Sequence, residues 1–408
     1  PHGEEIYSIT PVQYPANDSS KGIVTTHFEY HSIEKNLLKL DELGHDDPTM
    51  IRMLEDLTGF KATDISLDNR DVMKLFEGTE ILGITPEDIG GYKLGTLGIP
   101  EFGTDFVIQM LLDTKPQNYS DLVRIAGLSH GTNVWTGNAE KLVNEGTATL
   151  STCICTRDDI MLYLISMGVE AETSFNIMEA VRKGKVANGS VSEKWAKWRP
   201  LLEEHNVPEW YLWSCEKIEY MFPKAHAVAY VMMAFRIAYY KIFYPLAYYA
   251  AFFSIRASAF DYEKMCQGKE HLLKEMEKIK EEIRDKKAHK QTCAKQEDLL
   301  KYMYNVLEMY SRGYEFMPID LYRAKATHFS IIDGKIMPSF TSIDGMGEKA
   351  AESLQTEAAK DTFISREDFK IRTRLSSTLT DKLCQLGILT DLPESSQLSF
   401  ADLFGIQC

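Results

Sequence analysis

The chain has 408 residues and a formal net charge of −15 at pH 7, with 44% hydrophobic and 26% charged residues. This length predicts two or three domains, each large enough to bury its own hydrophobic core. The composition is that of an ordinary globular protein, and its acidity excludes a uniformly basic nucleic-acid coat while still allowing a local basic channel.

The seven cysteines are irregularly spaced and form no C-x-x-C pair, which is typical of reduced thiols in a cytosol. The chain begins at Pro1 rather than Met, so we expect it to be part of a longer protein. The apolar region 225–253 is interrupted by charges and a proline, and its longest apolar run, AVAYVMMAF, is shorter than the roughly 18–20 residues that a membrane span needs. It therefore predicts a pair of core helices, no membrane partner and a cytoplasmic location.

Residues 1–50 carry the small β portion that the sequence predicts. The stretch 24–32, VTTHFEYHS, partly alternates between apolar and polar residues. The stretch 37–43, LLKLDEL, alternates so that Lys39 and Asp41 share one face of a strand. We expect a buried strand whose end holds the Asp41 carboxylate rigidly.

Residues 51–260 have a mainly helical pattern. The stretch 51–60, IRMLEDLTGF, has helical apolar spacing and a terminating glycine. Two glycine-rich loops, 83–104 and 127–138, interrupt the helices, and such loops are favoured places for ligand contact. The polar stretch 186–209 predicts a surface insertion.

Arg182, Lys183 and Lys185 are candidates for binding phosphate groups. They close a helix that is predicted to begin near Ala171. Arg offers a bidentate fork and Lys a point charge to a triphosphate or a template phosphate. The alternative is that the three cations only complement the negative end of the helix dipole.

Lys224, His226, Tyr230 and Arg236 lie on or near a second candidate helix. His226 and Tyr230 are four residues apart and therefore share a helical face. Tyr230 could stack on a base, while Lys224 and His226, close to Pro223 at the helix start, meet phosphate near free backbone amides. The alternative is a core helix whose aromatic and methionine side chains only pack.

Residues 261–313 predict two antiparallel helices, because apolar residues recur at spacings of four and three and polar residues cover the other faces. The stretch 328–337, HFSIIDGKIM, predicts a β-hairpin with an Asp-Gly turn. Further on, a Gly-x-Gly turn before a helix predicts a helix-hairpin-helix, which offers backbone N–H groups to a DNA phosphate. An ordinary helix start is the alternative. The residues assigned to DNA binding are Gly345, Gly347 and Lys349.

The near-terminal sequence QLSF is similar to a sliding-clamp peptide, in which a few apolar side chains dock into a groove. A frayed chain terminus is the alternative. The residues assigned to clamp binding are Gln397, Leu398 and Phe400.

Asp41 is the candidate metal ligand. Two-metal phosphoryl transfer needs carboxylates that converge on divalent ions, and Mg²⁺ prefers such hard oxygen ligands. A surface or capping role is the alternative for a single Asp. His45 and Asp46 allow another interpretation, the metal pair of an HD-type phosphohydrolase, although Asp46 and Asp47 also suit a helix N-terminus.

The chain resembles the C-terminal part of PolC-type bacterial DNA polymerase III alpha subunits over nearly its whole length. The resemblance is carried, in order, by LLKLDELGHDDPTMIRML, TLGIPEFGT, GLSHGTNVW, RDDIMLYL, VRKGK, VPEWY, MFPKAHAVAYVMMAFRIAYYK, IDLYRA and QLSF. It implies a mainly α fold with a small β portion: the end of an incomplete palm sheet (1–50), large helical fingers (51–260) and a duplex-binding helix-hairpin-helix region (261–408).

The resemblance also implies functions for individual residues. Asp41 would be the third catalytic aspartate of the palm and a ligand of two Mg²⁺ ions. The partners implied are primer–template DNA, a dNTP, the sliding clamp and the rest of the polymerase chain, in the bacterial cytoplasm at the nucleoid. The residues implied in nucleotide binding are Arg182, Lys183, Lys185, Lys224, His226, Tyr230, Ser129, His130, Gly131 and Thr132.

The chain departs from the family pattern in three places. The other two catalytic carboxylates of the family lie in an Asp-x-Asp motif, and no such motif occurs in this sequence. We therefore expect that this chain alone does not polymerise DNA. Position 42 is Glu where the family usually has an apolar residue, and the clamp-like peptide lacks the usual Leu-Phe ending.

A function of another class is a non-catalytic DNA-binding or clamp-docking adaptor built on the helix-hairpin-helix. That hypothesis predicts salt-dependent duplex binding by 261–408 and no dNTP affinity in 51–260. The HD-type hydrolase is a third hypothesis, and it requires further metal ligands near His45.

Overall fold

The structure is a computed structural model that describes residues 3–40 and 44–395. The chain divides into two compact units, Pro1–His45 and Asp46–Cys408. Within the described ranges the architecture is mainly helical, with two antiparallel two-stranded sheets. The mainly α fold that the sequence predicts is confirmed. No helix within these ranges is long and apolar enough to cross a lipid bilayer.

The first unit is small and has little core. Strand β1 (Val12–Gln13) pairs antiparallel with β2 (Thr25–Thr26), and helix α1 (Tyr30–Ile33) follows. Thr10 is the one buried residue among the described residues of this unit. The strand predicted over 24–32 is therefore confirmed only for its second and third residues.

The strand predicted at 37–41 is wrong for its described part. Residues 37–40 have irregular backbone, and the side chains of Leu38 and Leu40 are 84% and 78% exposed. An alternating sequence forms a strand only where another strand is there to pair with it, and in the described part of this unit none pairs with 37–40. Asp41, the predicted catalytic and metal-binding residue, lies outside the described residues, as does Glu42.

Most helices of the second unit surround a large hydrophobic core. Helix α2 ends before Gly59, whose φ of +70° terminates it as the sequence predicts. The helix predicted from Ala171 to Arg182 is also confirmed. The helices are α2 (Asp46–Thr58), α3 (Arg70–Lys74), α4 (Asp105–Thr114), α5 (Tyr119–His130), α6 (Glu140–Asn144), α7 (Arg157–Ser166), α8 (Ala171–Arg182), α9 (Ser192–Glu204), α10 (Glu209–Lys217), α11 (Lys224–Phe243), α12 (Pro245–Ile255), α13 (Tyr262–Met265), α14 (Lys269–Ala288) and α15 (Ala294–Ser311).

The surface insertion predicted at 186–209 is wrong. Most of this stretch is helix α9, which packs two tryptophans, Trp195 and Trp198, against the core. Arg199 on the same helix bonds to Glu216 and Glu209 on α10, at 2.7 and 2.6 Å. The polar residues that suggested an insertion are instead the outer face of an amphipathic helix.

A buried ion pair connects the long helix α11 to the helical hairpin α14–α15. The ammonium of Lys241 lies 2.8 Å from the carboxylate of Glu308, and both side chains are fully buried. Burial lowers the pKa of Lys241 to about 8, although Glu308 acts in the opposite direction. Lys241 also donates hydrogen bonds to the carbonyls of Gly95 and Leu97, at 2.7 and 2.6 Å, which fixes the loop after residue 94.

The C-terminal part has a second hydrophobic core of its own. Strands β3 (Ser330–Ile332) and β4 (Lys335–Met337) form the predicted hairpin, and Asp333 and Gly334 at its turn have φ of +49° and +74°. Helices α16 (Glu348–Lys360), α17 (Arg366–Thr373) and α18 (Ser377–Gln385) follow. The helix start predicted after the Gly-x-Gly turn is confirmed by α16.

Candidate functional site

The extended segment 218–223 between α10 and α11 joins the sequence motifs that suggested ligand binding. The Thr132 N–H donates a hydrogen bond of 2.9 Å to the carbonyl of Tyr220. The Met221 N–H donates one of 3.1 Å to the carbonyl of Arg182 at the end of α8. Residues from α5, α8 and α11 that are far apart in sequence therefore meet along one segment.

Two glycines make this close approach possible. A Cβ atom at Gly184, where φ is +66°, would lie 2.5 Å from the carbonyl oxygen of Glu219. A Cβ atom at Gly131 would lie 2.8 Å from the carbonyl oxygen of Tyr220. Both distances are too short for any side chain, so the two motifs VRKGK and GLSHGT need glycine for a backbone reason.

Four half-buried rings are in contact beside this segment. The ring of His130 lies edge-on to Phe222, with ring centroids 5.6 Å apart. Phe222 stacks on His226 at 4.7 Å, and His226 contacts Tyr230 at 4.4 Å. The predicted sharing of a helical face by His226 and Tyr230 is confirmed, and the sequence analysis did not single out Phe222.

The start of α11 is held by the start of α7. The backbone N–H of Lys224 donates a 2.6 Å hydrogen bond to the carboxylate of Asp158. The N–H of Arg157 donates to the carbonyl of Phe222 at 3.2 Å. The Lys224 amide is therefore already bound to an acid, and attraction of an anion here falls mainly to the Lys224 side chain rather than to free amides.

The cations at the end of α8 share one acidic partner. Glu179 lies 2.9 Å from the Nη2 of Arg182 and 2.8 Å from the Nζ of Lys183. Burial acts to raise the pKa of Glu179, but the bonds to Arg182 and Lys183 lower it to about 2. Lys183 and Lys185 are both exposed, so a ligand in solvent can reach them, although Lys183 is paired with Glu179.

His130 also contacts an acid that the sequence analysis missed. Its Nε2 bonds to the carboxylate of Glu101, and the side chains of Glu101 and His130 are 13% and 27% exposed. The two residues are 29 positions apart, and Glu101 lies in the loop TLGIPEFGT. Ser129, by contrast, turns its hydroxyl back to the carbonyl of Ala126 at 3.0 Å.

We call the residues that meet here the cation–ring surface. Arg182 lies where α8 ends, Lys183 and Lys185 follow that helix, and the other members come from the end of α5, the segment 218–223 and the start of α11. Its members are His130, Gly131, Thr132, Arg182, Lys183, Lys185, Phe222, Lys224, His226 and Tyr230. Backbone hydrogen bonds place the end of α8 beside the segment that carries Phe222. If the cations and the rings face the same side, they can bind a ligand that carries both phosphate and an aromatic base.

The Gly-x-Gly turn forms a second candidate site. Gly345 has a φ of +85°, and Gly347 is the N-cap of α16. Lys349 is exposed in the first turn of that helix. The turn lines an open groove of about 620 Å³ together with Lys264 and Lys295. Asp261, which pairs with Lys264, and Asp344 line the same groove. Glycines at the helix start beside Lys295 and Lys349 suit a DNA phosphate.

The described residues offer little to a metal ion. Within residues 3–40 and 44–395 there is no group of three or more His, Cys, Asp or Glu side chains that could hold one. Asp47 pairs with Arg256, and Asp46 begins α2. The HD-type interpretation of His45 and Asp46 therefore lacks its ligand cluster in the part of the chain that the structure describes. The predicted clamp residues Gln397, Leu398 and Phe400 lie outside the described residues.

Family models match two parts of the chain. The bacterial DNA polymerase III alpha subunit finger domain matches residues 47–204. A helix-hairpin-helix motif matches residues 313–398, which include α16, α17 and α18. The Gly-x-Gly turn therefore lies in a matched helix-hairpin-helix region.

Curated relatives match nearly the whole chain. "DNA polymerase III PolC-type" of Caldanaerobacter subterraneus subsp. tengcongensis is 50% identical over 399 residues, which are 98% of this chain and 28% of that protein. The proteins of the same name from Streptococcus thermophilus and Clostridium perfringens are 48% and 47% identical, over 99% of this chain and 27% of each protein. The resemblance found in the sequence is confirmed, and the chain spans just over a quarter of the length of these relatives.

Proposed function

We propose that this chain, a relative of PolC-type DNA polymerase III along nearly all of its length, is the fingers and duplex-binding part of a replicative DNA-directed DNA polymerase. In the longer protein, a primer 3′-hydroxyl attacks the α-phosphate of a dNTP and a dNMP is added to the primer. The cation–ring surface binds the incoming dNTP. The observation that supports this proposal most strongly is that backbone hydrogen bonds of the segment 218–223 place the basic end of α8 and the residues after α5 beside the row of four rings.

The described residues bind and orient the nucleotide. Phosphoryl transfer places negative charge on the triphosphate oxygens, and preorganised cations stabilise that charge. Arg182 bonds to Glu179 through Nε and Nη2, and the remaining N–H groups of its guanidinium can donate to phosphate oxygens. Lys183, Lys185 and Lys224 add point charges. Tyr230 and the neighbouring rings offer faces on which a base can stack.

Two divalent cations, in this proposal Mg²⁺, supply Lewis-acid stabilisation at the reacting oxygens when they are bound. Asp41 is the ligand that the resemblance assigns to them, and it lies outside the described residues. Within residues 3–40 and 44–395 no cluster of ligands fits these ions. This chain alone is proposed to be inactive, because it contains no Asp-x-Asp motif.

The domains proposed are the end of the palm at 1–50, the fingers at 51–260 and the duplex-binding region at 261–408. The finger-domain match at 47–204 and the helix-hairpin-helix match at 313–398 support this order. Primer–template DNA, the sliding clamp and the rest of the polymerase chain are the proposed partners, in the bacterial cytoplasm. Gly345, Gly347 and Lys349 are proposed to contact duplex DNA.

The test is steady-state nucleotide incorporation by the full polymerase that contains this chain. We expect Arg182→Ala and Lys224→Ala each to raise the KM for dNTP about tenfold, because each removes a charge-assisted hydrogen bond to phosphate. The affinity for primer–template DNA stays the same. Lys194→Ala is the control, since Lys194 is an exposed cation on α9 and not part of the cation–ring surface.

Unchanged KM values in both variants, with the thermal unfolding midpoint preserved, would contradict the assignment of the cation–ring surface to dNTP. The adaptor hypothesis predicts that outcome, because the helix-hairpin-helix match alone supports only DNA binding. A dNTP titration of the 408-residue chain separates the two hypotheses further. The polymerase proposal expects saturable binding that Lys224→Ala weakens, and the adaptor hypothesis expects none.

A further inference from the structure

Glu101 occupies a backbone conformation that is unusual for its residue type. Its φ is +66°, in the left-handed region that favours glycine. Such strain is kept only where the surroundings fix it, and it is concentrated at functional positions. The carboxylate of this residue bonds to His130, a member of the cation–ring surface.

Hydrogen bonds from buried side chains fix the loop that carries Glu101. Buried Lys241 donates to the carbonyls of Gly95 and Leu97, and the Tyr248 hydroxyl donates to the same Leu97 carbonyl at 3.3 Å. Directly after Glu101, the ring of Phe102 is fully buried. The strained residue therefore lies between fixed points, and its carboxylate has a defined position.

The bond from Glu101 fixes the orientation of the His130 ring. Nε2–H of His130 donates a hydrogen bond to the Glu101 carboxylate, which faces Nδ1 toward another partner. Because a phosphate oxygen only accepts hydrogen bonds, Nδ1 must carry a proton as well when that partner is an anion. The same ring lies edge-on to Phe222 and 5.8 Å from the centroid of His226. Glu101 thus acts on one end of the row of rings without itself belonging to the row.

We propose that Glu101 is a positioning residue for nucleotide binding: it holds the His130 ring, as an imidazolium, against Phe222 and His226 so that Nδ1–H of His130 donates a hydrogen bond to a triphosphate oxygen of the incoming nucleotide. This inference deepens the proposed function and rests on it. Glu101 touches the nucleotide only through His130. The alternative is that Glu101 only stabilises the loop and does not affect nucleotide binding, and this alternative predicts a different result.

Glu101→Gly separates the two roles. Glycine adopts a φ of +66° without strain, so this variant removes the carboxylate and relieves the backbone at the same time. In the full polymerase we expect this variant to raise the KM for dNTP about tenfold, because one hydrogen bond between charged groups is lost. We expect kcat to stay within about twofold of the wild type. The thermal unfolding midpoint does not fall. Glu87→Ala, at an exposed acid of the same glycine-rich loop, leaves KM unchanged.

A double-mutant cycle with His130→Ala completes the test. If Glu101 acts through His130, the double variant Glu101→Gly/His130→Ala has the same KM as His130→Ala alone. Independent, multiplicative effects of the two substitutions would overturn the inference, as would a Glu101→Gly variant with unchanged KM. Glu101→Gln provides a second variant of nearly the same size in case the glycine variant does not fold.

The result for His130→Ala also separates this inference from the function on which it rests. If His130→Ala has a normal KM while Lys224→Ala raises it, the role of Glu101 is refuted and the dNTP site stands. If neither substitution changes KM, the proposed dNTP site itself is refuted.

Discussion

Gly184→Ala tests whether the cation–ring surface depends on the close approach of two backbone segments. A Cβ at this position would lie 2.5 Å from the carbonyl oxygen and 3.0 Å from the Cα of Glu219. Because both contacts are backbone atoms, the segment 218–223 or the end of α8 has to move. In the wild type, the N–H of Met221 donates a hydrogen bond to the carbonyl of Arg182. We expect the movement to lengthen or break this bond.

The magnitude follows from two separable costs. A left-handed φ costs an alanine about 1 kcal/mol relative to glycine. Forcing an extra carbon into a packed contact adds about 1–3 kcal/mol. We therefore expect Gly184→Ala to lower the free energy of unfolding by about 2–4 kcal/mol.

Gly189→Ala is the matched control. Its φ of +76° is similar, but a Cβ at Gly189 would meet no atom within 4 Å. We expect only the conformational cost there, about 1 kcal/mol. Chemical denaturation of the 408-residue chain, followed by circular dichroism, measures both values. Equal destabilisation by the two substitutions would refute the close-approach argument, because it would leave no cost for the contact with Glu219.

Three further predictions concern the ion pairs and the DNA site. Lys241→Met should lower the free energy of unfolding, measured by chemical denaturation, by about 3–5 kcal/mol, because it leaves Glu308 buried without its partner. The double variant Lys241→Met/Glu308→Gln should recover part of that loss. The pKa of Glu179 is lowered from 4.5 to about 2 in the folded chain. The ionised carboxylate therefore contributes to the free energy of unfolding above pH 4.5, and this contribution is lost as the pH falls toward 2. The stability advantage of the wild type over Glu179→Gln should shrink between these two pH values. Lys349→Ala should reduce the salt dependence of duplex binding, measured as the slope of log K against log salt concentration, by about one unit, and an unchanged slope would remove Lys349 from the DNA site.

The sequence predicted those elements whose signals are local. The basic residues after Ala180 and the Pro223-Lys224 step define the end of α8 and the start of α11, and Asp333-Gly334 defines the turn of a hairpin. Each signal depends on backbone preferences within a few residues, so no knowledge of the tertiary structure was needed.

The errors came from features that depend on distant partners. Residues 37–40 alternate like a strand, but alternation forms a strand only when another strand pairs with it. Helix α9 looked like an insertion because its tryptophans pack against the core only in the folded chain, where α10 lies beside them.

The cation–ring surface was predictable in its cations but not in its supporting contacts. Lys224, His226 and Arg182 were visible as basic residue types near helix ends. Glu101 was not, because its partner His130 is 29 residues away and no local pattern joins them. Phe222 was hidden in the same way, since an aromatic residue before a proline gives no sign of the rings on which it will stack.

The central claim, that residues from three helices form one nucleotide-binding surface, is tested most directly by chemical protection. The amines of the full polymerase, bound to primer–template DNA, are acetylated with and without the correct dNTP, and each lysine is quantified by mass spectrometry. The claim predicts that dNTP lowers labelling at Lys183, Lys185 and Lys224 together, while Lys194 and Lys197 on α9 are labelled as before. Unchanged labelling of the first three lysines at saturating dNTP would contradict it.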